Sequence, residues 1–85
     1  MTVVIKNFAY IPRDFTIPPG ATVTVRNDDQ VIHTLTADTW TSNKTFNTGD
    51  VTHGLATTFQ APKQPGTYPF HDIHYPYMAG ILTVS

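Results

Sequence analysis

The punctuation of this chain constrains its fold more than any other feature. Seven Pro and five Gly are scattered through 85 residues, and between them lie short runs rich in Val, Ile, Thr and aromatic side chains. Such spacing reads as strands joined by turns. Thr2 to Lys6 reads as a first strand, and Phe15 to Ile17 as a short extended piece stopped by Pro18-Pro19-Gly20. In Ala21 to Arg26, Val23 and Val25 point one way while Thr22, Thr24 and Arg26 point the other, the period of two expected of a half-buried strand. After the turn Asn27-Asp28-Asp29-Gln30, Val31 to Ala37 is expected as a strand with Val31, His33 and Leu35 on one face. Leu55 to Ala61, Thr67 to His71 and Gly80 to Val84 complete the set. The 38–54 region, which holds the only Trp at position 40, has too little apolar periodicity for a helix of useful length. Seven to eight short strands at this spacing imply an all-β sandwich or barrel.

Eighty-five residues make one domain, 1–85, with a thin margin of stability. There is no cysteine, hence neither a disulfide nor a thiolate ligand. The net charge of −1 gives no electrostatic case for nucleic acid or an anionic membrane. No run approaches the roughly 18 apolar residues of a membrane span. No signal-peptide pattern precedes the first strand, which follows Met1 at once.

The chemistry-bearing side chains are expected to converge on one end of the fold. His33 follows a turn, His71, Asp72 and His74 cluster at the end of the penultimate strand, and Met78 lies just before the last strand. Imidazole, carboxylate and thioether all bind transition metals, and imidazole suits Cu, Zn and Ni. Alternation puts Tyr68, Phe70 and Asp72 on one face and His71 on the other. With the aromatics inward, Asp72 aims at the interior and His71 outward. Singly, each residue has an ordinary reading: His33 as a hydrogen-bonded half-buried histidine, Asp72 as a turn residue, Met78 as core filler. His53, beside Gly54, reads as a turn residue. Together, His33, Asp72, His74 and Met78 form a candidate metal set.

The order of motifs resembles that of the plastocyanin- and amicyanin-like cupredoxins over nearly the whole chain. The resemblance rests on Asn7-Phe8-Ala9-Tyr10 with Pro12 and on Pro19-Gly20-Ala21-Thr22-Val23-Thr24-Val25 followed by Asn27-Asp28. It continues in His33-Thr34-Leu35-Thr36, in Phe59, in Pro65-Gly66-Thr67-Tyr68-Pro69-Phe70-His71 and in Pro76-Tyr77-Met78-Ala79-Gly80-Ile81-Leu82-Thr83-Val84. It implies an antiparallel Greek-key β-sandwich, with His33 as first copper ligand and Met78 as axial ligand. The family's copper-loop cysteine falls on Asp72 when counted from the entering strand. The family's second histidine falls on Tyr75 when counted back from Met78, one residue after His74. A second register puts His71 at the cysteine position and His74 at the histidine position. Asn27 is expected either to tie the His33 loop to the ligand loop, as its counterpart does in the family, or to serve the turn.

A carboxylate in place of a thiolate implies a pale, tetragonal, type 2-like copper site weighted toward Cu(II) over Cu(I), with zinc as another possible metal. The resemblance implies electron transfer or copper handling, a redox or copper-delivery protein partner, a monomer, and an exported location, periplasmic or extracellular. Tyr75, Pro76 and Tyr77 read either as an apolar docking rim or as a rigid cap on the loop. The other reading is a metal-free structural or interaction module that keeps the fold. An enzyme is not expected, since there is no nucleophile triad, no phosphate loop and no paired carboxylates in a cleft. A zinc hydrolase built on His33, Asp72 and His74 ranks last.

Overall fold

The alternating runs form two four-stranded sheets in the computed structural model, which describes residues 1–85. The elements are β1 (Thr2–Lys6), β2 (Ala9–Ile11), β3 (Asp14–Ile17), β4 (Thr22–Asn27), β5 (Thr36–Ala37), α1 (Trp40–Asn43), β6 (Ala56–Gln60), β7 (Gly66–His71) and β8 (Ala79–Val84). One sheet runs β2-β1-β4-β6 and the other β3-β8-β7-β5.

The sandwich is as expected, but its sheets are mixed rather than purely antiparallel. β1 lies parallel to β4 and β3 parallel to β8, whereas the other neighbours are antiparallel. The cause is a sheet switch. β1 and β2 form a hairpin in the first sheet, and the chain then passes through Pro12 into β3 of the second. Parallel neighbours need a crossover, and the sheet changes supply it.

Inward positions of the strands fill the space between the sheets. Val3, Ile5, Val23, Val25, Phe70 and Leu82 are fully buried, as the period of two requires. Phe70 meets the Tyr10 ring edge-on at 4.9 Å, and Phe46 stacks on Phe59 at 4.8 Å. Burying a side chain such as Phe70 contributes up to about 3 kcal/mol, a large share in a small domain. Gly80 on β8 is required by close packing, because a Cβ there would overlap the Arg13 carbonyl oxygen and lie 2.5 Å from Phe70 Cζ.

Two local expectations are revised. Only Thr36–Ala37 of the Val31–Ala37 run is regular strand, and every residue from His33 to Ala37 is buried. The run is covered on both sides, so alternation does not describe it; His33 instead makes an isolated bridge to Val51. Trp40 begins a single helical turn, with the Lys44 ammonium 5.3 Å from its ring centroid. No helix is long and apolar enough to cross a membrane.

Candidate metal centre

Three segments meet at one end of the sandwich: the β1–β2 turn, the stretch after β4, and the loop from β7 to β8. The first is a two-residue hairpin turn. Lys6 pairs with Ala9, and both Asn7 and Phe8 have positive φ, 53° and 57°. Asn tolerates that region, whereas an aromatic residue does so at a cost. The Asp29 carboxylate offsets the cost by accepting both turn amides, Asn7 N–H at 2.6 Å and Phe8 N–H at 2.8 Å.

Asn27 holds the second segment. Its side-chain amide donates to the carbonyls of Val31 at 2.8 Å and Val51 at 2.7 Å, and its Oδ1 accepts the Asp29 amide at 2.9 Å. Asn27 therefore braces the turn that leads to His33 and the 51 segment beside it. The third segment closes on itself. Asp72 N–H donates to the Met78 carbonyl at 3.1 Å, Met78 N–H to Tyr75 at 2.9 Å, and His74 N–H to Asp72 Oδ1 at 2.9 Å. Thr34 Oγ1 accepts the Ile73 amide at 3.0 Å and so joins the second segment to the third.

Within this frame His33 and Asp72 are both fully buried, and His33 Nδ1 lies 2.5 Å from Asp72 Oδ2. A ring nitrogen and a carboxylate oxygen at that distance form a short hydrogen bond. On the other side of the ring, His33 Nε2 lies 2.8 Å from Asp29 Oδ2. Burial alone would raise the pKa of Asp29, but the amides of Phe8 and Asn7, together with His33, bring it below the usual carboxylate range. Burial pushes the Tyr10 phenol far above its ordinary value, and the charges of Asp72 and Asp38 add to the shift. Tyr10 Oη donates to the Thr34 carbonyl at 2.6 Å.

The structure thus brings two of the four sequence-derived candidates into direct contact. Met78 is buried in the core cluster at the end of the same loop. His74 turns to the surface, where its Nε2 lies 2.7 Å from Asp50 Oδ1. Tyr75 is the ring that faces His33, at 5.3 Å between centroids, and Phe8 flanks the same imidazole at 5.4 Å. Asp72 faces inward as alternation requires, while His71 faces outward to Asp38 at 2.6 Å. Asp29, read in the sequence only as a turn residue, is the member of the site that the sequence reading missed. The signal available for it was an acidic residue four positions before a buried histidine.

The donor set can be tested against copper. Without cysteine, a copper–thiolate centre does not fit. The buried His33–Asp72 pair offers one imidazole nitrogen and one carboxylate, donor types that suit Cu(II) or Zn(II). No three His, Asp or Glu side chains converge into a metal-holding group in this arrangement.

The sequence matches the family model described as "Cupredoxin-like domain" over residues 1–84. Among solved structures, a purple cupredoxin from Nitrosopumilus maritimus is 26% identical with a TM-score of 0.81, covering 99% of this chain and 98% of that one. A copper-containing nitrite reductase from Thermus scotoductus is 26% identical with a TM-score of 0.85, and the chain spans only 22% of its length. A variant of amicyanin in its reduced Cu(I) form shares the fold, with a TM-score of 0.85 at 20% identity over 100% of this chain and 81% of that one. No curated protein matches.

Proposed function

The chain belongs to the cupredoxin-like domain family, and from that premise we propose that it is a copper-handling protein with a non-blue site. Its two fixed donors are His33 Nδ1 and Asp72; Met78, whose carbonyl accepts the Asp72 amide, is the weak or axial donor, and His74 is the donor that would have to leave Asp50. The observation that carries this reading is the His33–Asp72 contact, buried at the end of the sandwich. A bound copper ion supplies a Cu(II)/Cu(I) couple, and a carboxylate donor weights it toward Cu(II). Delivery or storage is therefore favoured over fast electron transfer.

The residues themselves define what the site does. Asp72 and His33 share one hydrogen bond, and the pair gives up its proton when it becomes a ligand set. Phe8 and Tyr75 cover the imidazole from solvent. Neither His33 nor Asp72 lines the two surface cavities of about 240 and 230 Å³, although Phe8 and Met78 line the smaller one. Residues 1–85 act as one monomeric domain in this proposal. It works in an exported compartment, with a protein that gives or takes copper as its partner.

A second reading has its own support. Both nitrogens of His33, and Nε2 of His74, already face carboxylates. On that reading the fold is kept and an ion-paired imidazole stands where the family holds its metal, leaving a structural or interaction module. Titration with equimolar Cu(II), read by electron paramagnetic resonance and repeated for Asp72→Asn, separates the two. One stoichiometric site with a wide hyperfine splitting and nitrogen coupling, lost in the variant, supports copper handling. Weak, non-stoichiometric uptake, with a melting temperature indifferent to Cu(II), supports the module. Zn(II) competition in the same titration ranks the metals.

A further inference from the structure

We propose that Asp29 is the positioning residue of the site: it keeps the proton of His33 on Nε2 and so directs Nδ1 at Asp72. The argument begins with what a carboxylate can accept. Asp29 Oδ1 takes the Asn7 amide, and Oδ2 takes the Phe8 amide while lying 2.8 Å from His33 Nε2. A carboxylate that already accepts two backbone donors remains an acceptor, so the ring nitrogen facing it carries a hydrogen. His33 has no exposed surface and the Asp29 side chain only 10%, so water does not compete for the contact.

Asp29 is itself held on the other side. Its amide donates to Asn27 Oδ1, and Asn27 is tied by its own side chain to the Val31 and Val51 carbonyls. The imidazole cannot turn away easily, because the edge of Phe8 and the ring of Tyr75 pack against it. One side chain thus joins the β1–β2 turn to the orientation of a buried histidine. A carboxylate on the far nitrogen of a metal-binding histidine fixes its tautomer, and its loss typically lowers metal affinity 10–100-fold. The affinity consequence rests on the copper reading above, whereas the tautomer assignment does not.

The test starts with the metal-free protein and needs no variant. Long-range proton–nitrogen correlation of the histidine rings should show a proton on His33 Nε2 that exchanges slowly. An unprotonated Nε2 would overturn the proposal outright. Asp29→Asn keeps the shape but, with a single oxygen, can accept only one of the two turn amides, so its folding is checked alongside. The Nε2 proton signal should be lost or shifted in this variant, and a folded Asp29→Asn protein with an unchanged Nε2–H would also overturn the proposal. Cu(II) affinity, measured on the same two proteins, should fall about 10–100-fold. If the tautomer responds and neither protein binds Cu(II), Asp29 keeps its role and the copper reading fails. If Cu(II) binds equally to both, the positioning role fails and the copper reading stands.

Discussion

Tyr75 sets its ring 5.3 Å from that of His33, while His74, one residue earlier, carries its imidazole out to Asp50. The loop from Asp72 to Met78 therefore presents a phenol where an imidazole would complete a metal site. Asp72→Cys alone should give at most weak visible absorption with one equivalent of Cu(II). The double variant Asp72→Cys with Tyr75→His should give strong absorption, because thiolate and both imidazoles then face inward. Equal, intense colour in the single variant would show that His74 swings in freely.

His33 faces two carboxylates at once, Asp72 at Nδ1 and Asp29 at Nε2. His33→Ala leaves Asp29 and Asp72 facing a void, and removing one member of a buried pair costs about 3–5 kcal/mol. Asp72→Asn should cost clearly less, since an amide at this position still bonds the ring and the His74 amide. Urea denaturation of both variants checks the order. Equal losses would mean that charge contributes little here.

Tyr10 makes stability depend on alkaline pH. Its phenol pKa is raised in the folded protein by burial first, then by Asp72 and Asp38. A raised value means that the folded state holds the proton more tightly than the unfolded chain. The contribution is therefore complete below the ordinary phenol value of 10.0 and is lost as pH rises above it. Urea midpoints should start to fall near pH 10 and keep falling as pH rises further. Tyr10→Phe should flatten this limb while lowering stability at neutral pH by about 1–3 kcal/mol, the cost of a buried Thr34 carbonyl left without its donor.

Gly80 admits no side chain. In Gly80→Ala the new methyl group meets the Arg13 carbonyl and the Phe70 ring together, and neither is a flexible side-chain end. The loss should reach the upper part of the roughly 1–3 kcal/mol range for overpacking. A near-neutral melting temperature would mean that β3 can shift away from β8.

Much of this arrangement was legible in local alternation. Val23 and Val25 turned inward as expected, as did Phe70 and Asp72 with His71 outside, because a strand with one buried face repeats every two residues. The features that were not legible depend on distant segments. Nothing within Thr2–Lys6 states that its neighbour is β4 in parallel, and nothing within Asp14–Ile17 names β8. His33–Ala37 is buried throughout, so its faces cannot be told apart by pattern. Asp29 looked like any acidic turn residue, since its meaning comes from Asn7 and Phe8, more than 20 residues away. His74 sits in a loop, where periodicity assigns no direction.

The parallel pairing of Asp14–Ile17 with Ala79–Val84 also sets an order of events. The third strand has no partner in its sheet until the last strand has arrived, and Asp14 and Ile81 are 67 positions apart. Loops of that span are slow to close, so the chain should fold late and all at once rather than growing from its first hairpin. A chain interrupted before residue 79 would keep His33 and Asp72 in its sequence but lack the strand that closes the sheet around them. The end of the sandwich that holds His33 and Asp72 would then be among the last parts of the molecule to exist.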